Sequence, residues 1–111
     1  MEMNNININI ANDFSITPGG RYEKDGKFSG EEFRRKLLEP HFINDQKIKI
    51  TINFDNAEGY STAFLEEAFG GLVRIYGKDK VLTSIFFISN EDPLLIEEIN
   101  NYINNARKRA K

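Results

Sequence analysis

The 111-residue sequence has no cysteine and no tryptophan, three prolines and a single histidine. Without cysteine the chain can form no disulfide, present no thiolate nucleophile and build no cysteine-based zinc site. This fits a reducing compartment, and the expected location is the cytoplasm. No apolar run approaches the roughly 20 residues of a membrane-spanning helix. Met1 to Ile10 alternates Asn and Ile and lacks the basic start of a secretion signal. Fifteen Lys and Arg against 17 Asp and Glu leave a net charge of −2. No global field therefore draws the protein to nucleic acid or to a membrane. His41 stands outside any ligand motif, so neither a metal nor another cofactor is expected.

What is present is the composition of a folded domain: 40% hydrophobic residues, nine of them Phe. The length fits one domain spanning residues 1–111, with no linker or internal repeat. Ile6, Ile8 and Ile10 alternate with Asn5, Asn7 and Asn9, a strand with one buried face. Asn12-Asp13 supplies turn residues, and Phe14-Ser15-Ile16 is read as a second strand returning antiparallel. Ser29 followed by Glu32 forms the signature of a capping box. The helix it opens carries Phe33, Leu37 and Leu38 on one face and ends before Pro40. Ile48, Ile50, Ile52 and Phe54 mark another period-two strand.

A further helix is predicted from about Thr62, with Leu65, Ala68, Phe69, Leu72, Val73 and Tyr76 at helical spacing and Gly77 as its C-terminal stop. Gly70-Gly71 inside it implies close packing by another backbone, because two glycines cost a helix about 2 kcal/mol relative to alanine. Val81 to Ser89 reads as a strand covered on both faces. Asp92-Pro93 opens a last helix with Leu95, Ile96, Ile99 and Ile103 inward. The basic tail from Ala106 to Lys111 suits the negative end of that helix dipole. The expected architecture is α/β: a mixed sheet of about four strands with an N-terminal hairpin and about three helices, in the order β-β-α-β-α-β-α.

Chemistry-bearing positions are few. Glu31-Glu32, Glu66-Glu67 and Glu97-Glu98 fall on helices, where adjacent residues point about 100° apart, so each doublet reads as a solvated face. Gly20, Arg21 and Arg34 are candidates for holding an anion, although no phosphate-loop spacing surrounds them. Ser61 and Thr62 open a helix directly after a strong strand. One hydroxyl there serves as a cap. The other can accept a phosphate, which free amides and the helix dipole would tolerate.

The run Gly59-Tyr60-Ser61-Thr62-Ala63-Phe64-Leu65-Glu66-Glu67-Ala68-Phe69-Gly70-Gly71-Leu72-Val73-Arg74 is specific. With Gly20-Arg21-Tyr22, Asp25-Gly26, Ser29-Gly30-Glu31, Phe33-Arg34, Leu37-Leu38 and Pro40, it resembles the STAS-like family of uncharacterised bacterial proteins (DUF4325) over roughly residues 17–90. That family is similar to the STAS domains of anti-sigma-factor antagonists. The resemblance implies a sheet with helices largely on one side. It also implies a regulatory, non-enzymatic role in binding a protein partner, a histidine-kinase-like ATPase. The partner would phosphorylate a Ser or Thr at the position of Thr62, with Ser61 beside it. This sequence departs from the antagonists' Asp-Ser-Ser/Thr-Gly run: Ser61 stands in place of the Asp, Ala63 of the second hydroxyl and Phe64 of the Gly. The location therefore transfers better than the modification. Gly59, Tyr60, Phe64, Glu66 and Glu67 are the expected partner-contact residues; Tyr60 and Phe64 are read either as apolar anchors there or as core, with exposure favoured for Phe64 because it sits just off the apolar stripe. Two alternatives stay open: a small-ligand or anion-binding domain, and a subunit of an assembly joined through the first strand. The oligomeric state is not read from the sequence.

Overall fold

The computed structural model describes residues 4–43 and 47–106. Three strands form one parallel sheet in the order β1-β2-β3: β1 is Asn4–Asn9, β2 Ile48–Asn53 and β3 Ile85–Ile88. Ile6 lies opposite Ile50 and Ile8 opposite Ile52, while Ile52 in turn faces Phe87. Period-two alternation thus gathers these residues with Ile48 and Ile85 on one face. The opposite face carries Asn5, Asn7, Lys49 and Thr51, and it leaves Phe86 and Ile88 exposed. The apolar run of β3 is therefore covered on one side only, contrary to the two-sided burial expected from its composition.

The N-terminal hairpin does not form. Its turn residues build a single helical turn instead, α1 (Ile10–Asp13). The Asn9 side chain accepts from the Asn12 N–H at 3.2 Å, and Asp13 Oδ2 accepts from the Asn9 N–H at 2.7 Å. Asn and Asp cap helices as readily as they make turns, and here the cap wins. Among the described residues no strand follows at Phe14–Ile16, so the sheet has three strands rather than about four.

Helices cover the apolar face. The first run begins as α2 (Gly30–Phe33), widens into a π-helical turn over Arg34–Leu38 and closes as a 3-10 turn over Glu39–His41. Ser29 caps it by accepting from the Glu32 N–H at 3.0 Å. The reciprocal half of the box is displaced by one residue: Glu32 Oε1 accepts from the Phe28 N–H, not from that of Ser29. The second run comprises α3 (Thr62–Leu65), a π-helical turn over Glu66–Gly70 and α4 (Gly71–Tyr76). Gly77, at φ 92°, ends it with its N–H on the Val73 carbonyl. A separate helix follows, α5 (Lys78–Ser84), where the sequence had suggested the start of the last strand. Val81 and Leu82 belong to a short apolar run whose period does not separate helix from strand. Finally α6 (Leu94–Asn105) buries Leu95, Ile99 and Ile103. The basic residues of the tail, Arg107 to Lys111, lie outside the described residues.

Between sheet and helices lies one core, with Phe33, Phe64, Phe69, Leu65, Leu72 and Ile99 fully buried. Phe14, Phe33, Phe64 and Tyr60 form a chain of ring contacts, with centroids 5.3 to 6.2 Å apart. The two helical runs approach closely at Gly30, where a Cβ would lie 2.3 Å from the Phe64 carbonyl oxygen. Gly30→Ala should destabilise the domain by about 1–3 kcal/mol, the usual cost of overpacking, as read by urea denaturation followed by circular dichroism.

Candidate functional site

Two features meet where α3 begins: a helix start carrying two hydroxyls, and beneath it a cluster of paired charges. Their geometry follows from how β2 ends. After Asn53 the chain passes through Phe54 and Asp55 into an exposed loop with Asn56 at φ 74° and Gly59 at φ 155°, then enters the helix. The loop is tied down on both sides. Asp55 accepts from the Glu91 N–H at 2.9 Å and from Asn90 Nδ2 at 3.1 Å, and the Asn56 N–H donates to Glu91 Oε1 at 2.7 Å. Tyr60, half-buried, donates its hydroxyl to the Phe54 carbonyl at 2.7 Å. Burial, then the charges of Asp55 and Glu91, push the Tyr60 phenol well above its ordinary range.

Ser61 is the N-cap. Its Oγ accepts from the Phe64 N–H at 3.0 Å and donates to the Gly19 carbonyl at 3.1 Å, fastening the helix start to the segment that leads to Arg21. Thr62 is the first helical residue and is exposed. Its neighbour on α6 is Tyr102, whose hydroxyl donates to Glu98 Oε2. Burial and Glu98 raise the Tyr102 phenol, and the neighbouring Thr62 hydroxyl opposes them.

Phe64 is fully buried, so the exposed anchor expected there does not exist. It is the residue over which Gly30 passes, and its ring packs against Phe14, Phe33 and Tyr60. Glu66 and Glu67 are likewise not a solvated contact face. Glu67 has a side chain only 4% exposed and accepts from Arg34 Nη1 at 2.5 Å; the same nitrogen donates to the Glu67 carbonyl at 3.0 Å. Arg34 Nε reaches Glu39 at 2.8 Å. Glu66 lies between Arg74, at 2.7 Å, and Arg21, at 2.5 Å. Arg21 and Arg34 do converge, but on these two carboxylates. Gly20, exposed beside them, gives its carbonyl to the Gly30 N–H.

Three arginines thus balance Glu39, Glu66 and Glu67 in a neutral cluster between the two π-helical turns. Burial pushes the Glu66 carboxyl up, but hydrogen bonds from Arg74 and Arg21 overrule it and lower it to about 2. The glycine pair belongs to the same arrangement. A Cβ on Gly71 would lie 2.4 Å from Arg34 Nη1, and one on Gly70 would lie 2.6 Å from Glu66 Oε2. Charged side chains, rather than the backbone expected from sequence, occupy that space. The helix stays helical through both glycines, at φ −64° and −60°.

Beside the loop, a cleft of 280 Å³ is lined by Asp55, Glu58, Glu91, Asp92 and Glu98 together with Gly59 and Tyr60. It lies beyond the carboxyl ends of β2 and β3, the usual ligand position in open α/β sheets. Its carboxylates would repel phosphates and other anions. His41 sits in the 3-10 turn at the end of the first helical run, and among the described residues no His, Asp and Glu side chains converge to hold a metal ion.

A parallel sheet covered on one face, with its central strand running into a hydroxyl-headed helix, is the architecture of a STAS-like domain. The chain belongs to the family described as the STAS-like domain of unknown function (DUF4325), whose profile matches residues 29–95, from the Ser29 cap to Leu95. No curated protein and no solved structure matches the chain.

Glu67→Gln keeps the shape but removes the charge facing Arg34, and should cost about 3–5 kcal/mol in denaturant unfolding, the range for breaking a buried pair from one side. The depressed Glu66 carboxyl predicts an acid limb. Its folded value lies below its unfolded one, so its contribution is complete above pH 4.5 and is lost as pH falls toward about 2. Glu66→Gln should flatten that part of the stability–pH curve, measured by denaturation at successive pH values.

Proposed function

We propose that this domain is a non-enzymatic regulatory module that binds a protein partner through residues 56–62 and the exposed start of α3, with Thr62 as its switch. The observation that carries the reading is the division of labour between the two hydroxyls. Ser61 is engaged at both lone pair and proton, as cap and as bridge to Gly19. Thr62, equally exposed, caps no backbone amide, and its hydroxyl neighbours that of Tyr102. A phosphate on Thr62 would meet amides and the positive end of the helix dipole, so the fold would tolerate it. It would stand one turn from Glu66 and close to Tyr102 and Glu98, adding nearly two negative charges to a surface already rich in carboxylates. A local charge change of this kind alters an interface without unfolding the domain.

The similarity of STAS-like domains to anti-sigma-factor antagonists is what suggests a partner of the histidine-kinase-like ATPase fold. The contact residues are then Gly59, Tyr60, Ser61 and Thr62, since Phe64 and Glu67 are buried. Against an anion-binding domain, the guanidinium groups of Arg21 and Arg34 are already paired with carboxylates, and the adjoining cleft is acidic.

Capture from native-host lysate on immobilised protein, read by quantitative mass spectrometry, tests this. A histidine-kinase-like ATPase should be retained by wild type and Thr62→Ala and fall at least tenfold on Thr62→Asp, a difference of about 1.4 kcal/mol. Equal retention by Thr62→Asp rejects the switch, and no retained ATPase rejects the partner.

A further inference from the structure

The free edge of the sheet carries an inference of its own. Strand β1 lies at one edge, hydrogen-bonded to β2. The Asn4 N–H donates to the Lys47 carbonyl at 3.2 Å on the β2 side. Backbone groups alternate sides along a strand, so Asn5, Asn7 and Asn9 turn their N–H and C=O groups away from β2. The Asn9 N–H is taken by Asp13. The Asn9 carbonyl, at the helix N-cap, accepts the first bond of α1. Among the described residues, the outward N–H and C=O groups of Asn5 and Asn7 are left along the rim.

We propose that two copies of this chain pair antiparallel along β1 about a two-fold axis through Asn7. The sequence of the rim is self-complementary. Asn5-Ile6-Asn7-Ile8-Asn9 reads the same in both directions, so a two-fold centred on Asn7 sets Asn7 against itself, Ile6 against Ile8 and Asn5 against Asn9. An isologous interface demands this match of a patch with itself. On the helix-covered face isoleucine meets isoleucine, and Ile6, only half-buried within one copy, becomes covered. On the open face asparagine meets asparagine, each amide able both to donate and to accept. Asn7 exchanges two backbone hydrogen bonds with its counterpart.

Asp13 covers the rim at Asn9, but through Asn5–Ile8 it lacks the charges, prolines and bulges that keep sheet edges apart. Asn4–Asn9 contains no charged residue and no proline, and its pairing with β2 runs without a bulge. The product is one continuous six-stranded sheet, antiparallel at its centre, with both sets of helices on the same face.

Sedimentation equilibrium and a cysteine cross-link test the proposal. Wild type should sediment at twice the 12.8 kDa chain mass. Asn7→Lys sets two like charges on the axis and should raise the dimer dissociation constant at least tenfold; its exposed side chain faces away from the core, so the circular dichroism spectrum should not change. Because the chain has no cysteine, Asn7→Cys introduces a single thiol. The hydrogen-bonded pair sets its Cα atoms about 5.5 Å apart, within disulfide span. Asn7→Cys should therefore oxidise to a covalent dimer far faster than Lys49→Cys, which sits one strand inward on the same face. A wild-type monomer at the highest soluble concentration overturns the proposal. So does a dimer that Asn7→Lys leaves intact, or a Lys49→Cys variant that cross-links as fast as Asn7→Cys.

Discussion

The rest of the structure depends on a carboxylate held almost entirely out of water. Glu67 is 3% exposed, and an ionised group in that position is tolerated only with a partner at hydrogen-bond distance. Arg34 supplies it, and the pairing dictates much around it. The guanidinium lies where a side chain on residue 71 would otherwise go, which favours glycine there. Its other contacts, to the Glu67 carbonyl and to Glu39, fix the rotamer and the spacing of the two helical runs. Arg21 and Arg74 neutralise Glu66 in the same way. Such a cluster is not the most stabilising filling for the space, since apolar residues often do as well. What it imposes is a single relative placement of segments far apart in sequence.

That placement reaches the surface through Ser61. Its bond to the Gly19 carbonyl lies two residues before Arg21, so the helix start and the charge cluster share one connecting segment. Thr62 stands a turn before Glu66, on the same helix. The residue proposed as a switch is thus mechanically close to the element that sets the helix packing. It is also close to α6, through Tyr102. A charge added at that proposed switch would border the internal ionic cluster and have a direct physical route from surface to interior order.

How much of this the sequence disclosed depends on the kind of signal. Strict alternation at Ile6–Ile8 and Ile48–Ile52 located two strands, because a one-sided sheet leaves no other reading of period two. Ser29, Ser61 and Gly77 marked helix boundaries through backbone chemistry that acts locally. Where several local outcomes share one composition, the prediction failed. Asn12-Asp13 serves a capped helical turn as well as a hairpin, and Val81-Leu82 suits α5 as well as a strand. The site was misread for a different reason. A 3.6-residue stripe placed Phe64 outside the core and Glu67 in solvent. The π-helical turn over Glu66–Gly70 shifts that phase, and three arginines from separate segments make a buried carboxylate tolerable. Neither is a property of the residues adjacent in sequence. Gly70-Gly71 was the trace that could have shown it, and it correctly signalled a close approach.

The parallel connectivity has a consequence for how the chain assembles. Asn4 is opposite Ile48, and Ile50 is opposite Ile85, so each pair of neighbouring strands is parallel and joined by a long connection. Neither junction can form as a hairpin; each must close a long loop before any pairing energy returns, which slows folding. β2 pairs with both other strands and is the element on which the sheet must grow. During synthesis β1 emerges first and waits, unpaired and free of charge, until β2 has left the ribosome. For that interval the most self-complementary stretch of the chain has no intramolecular partner.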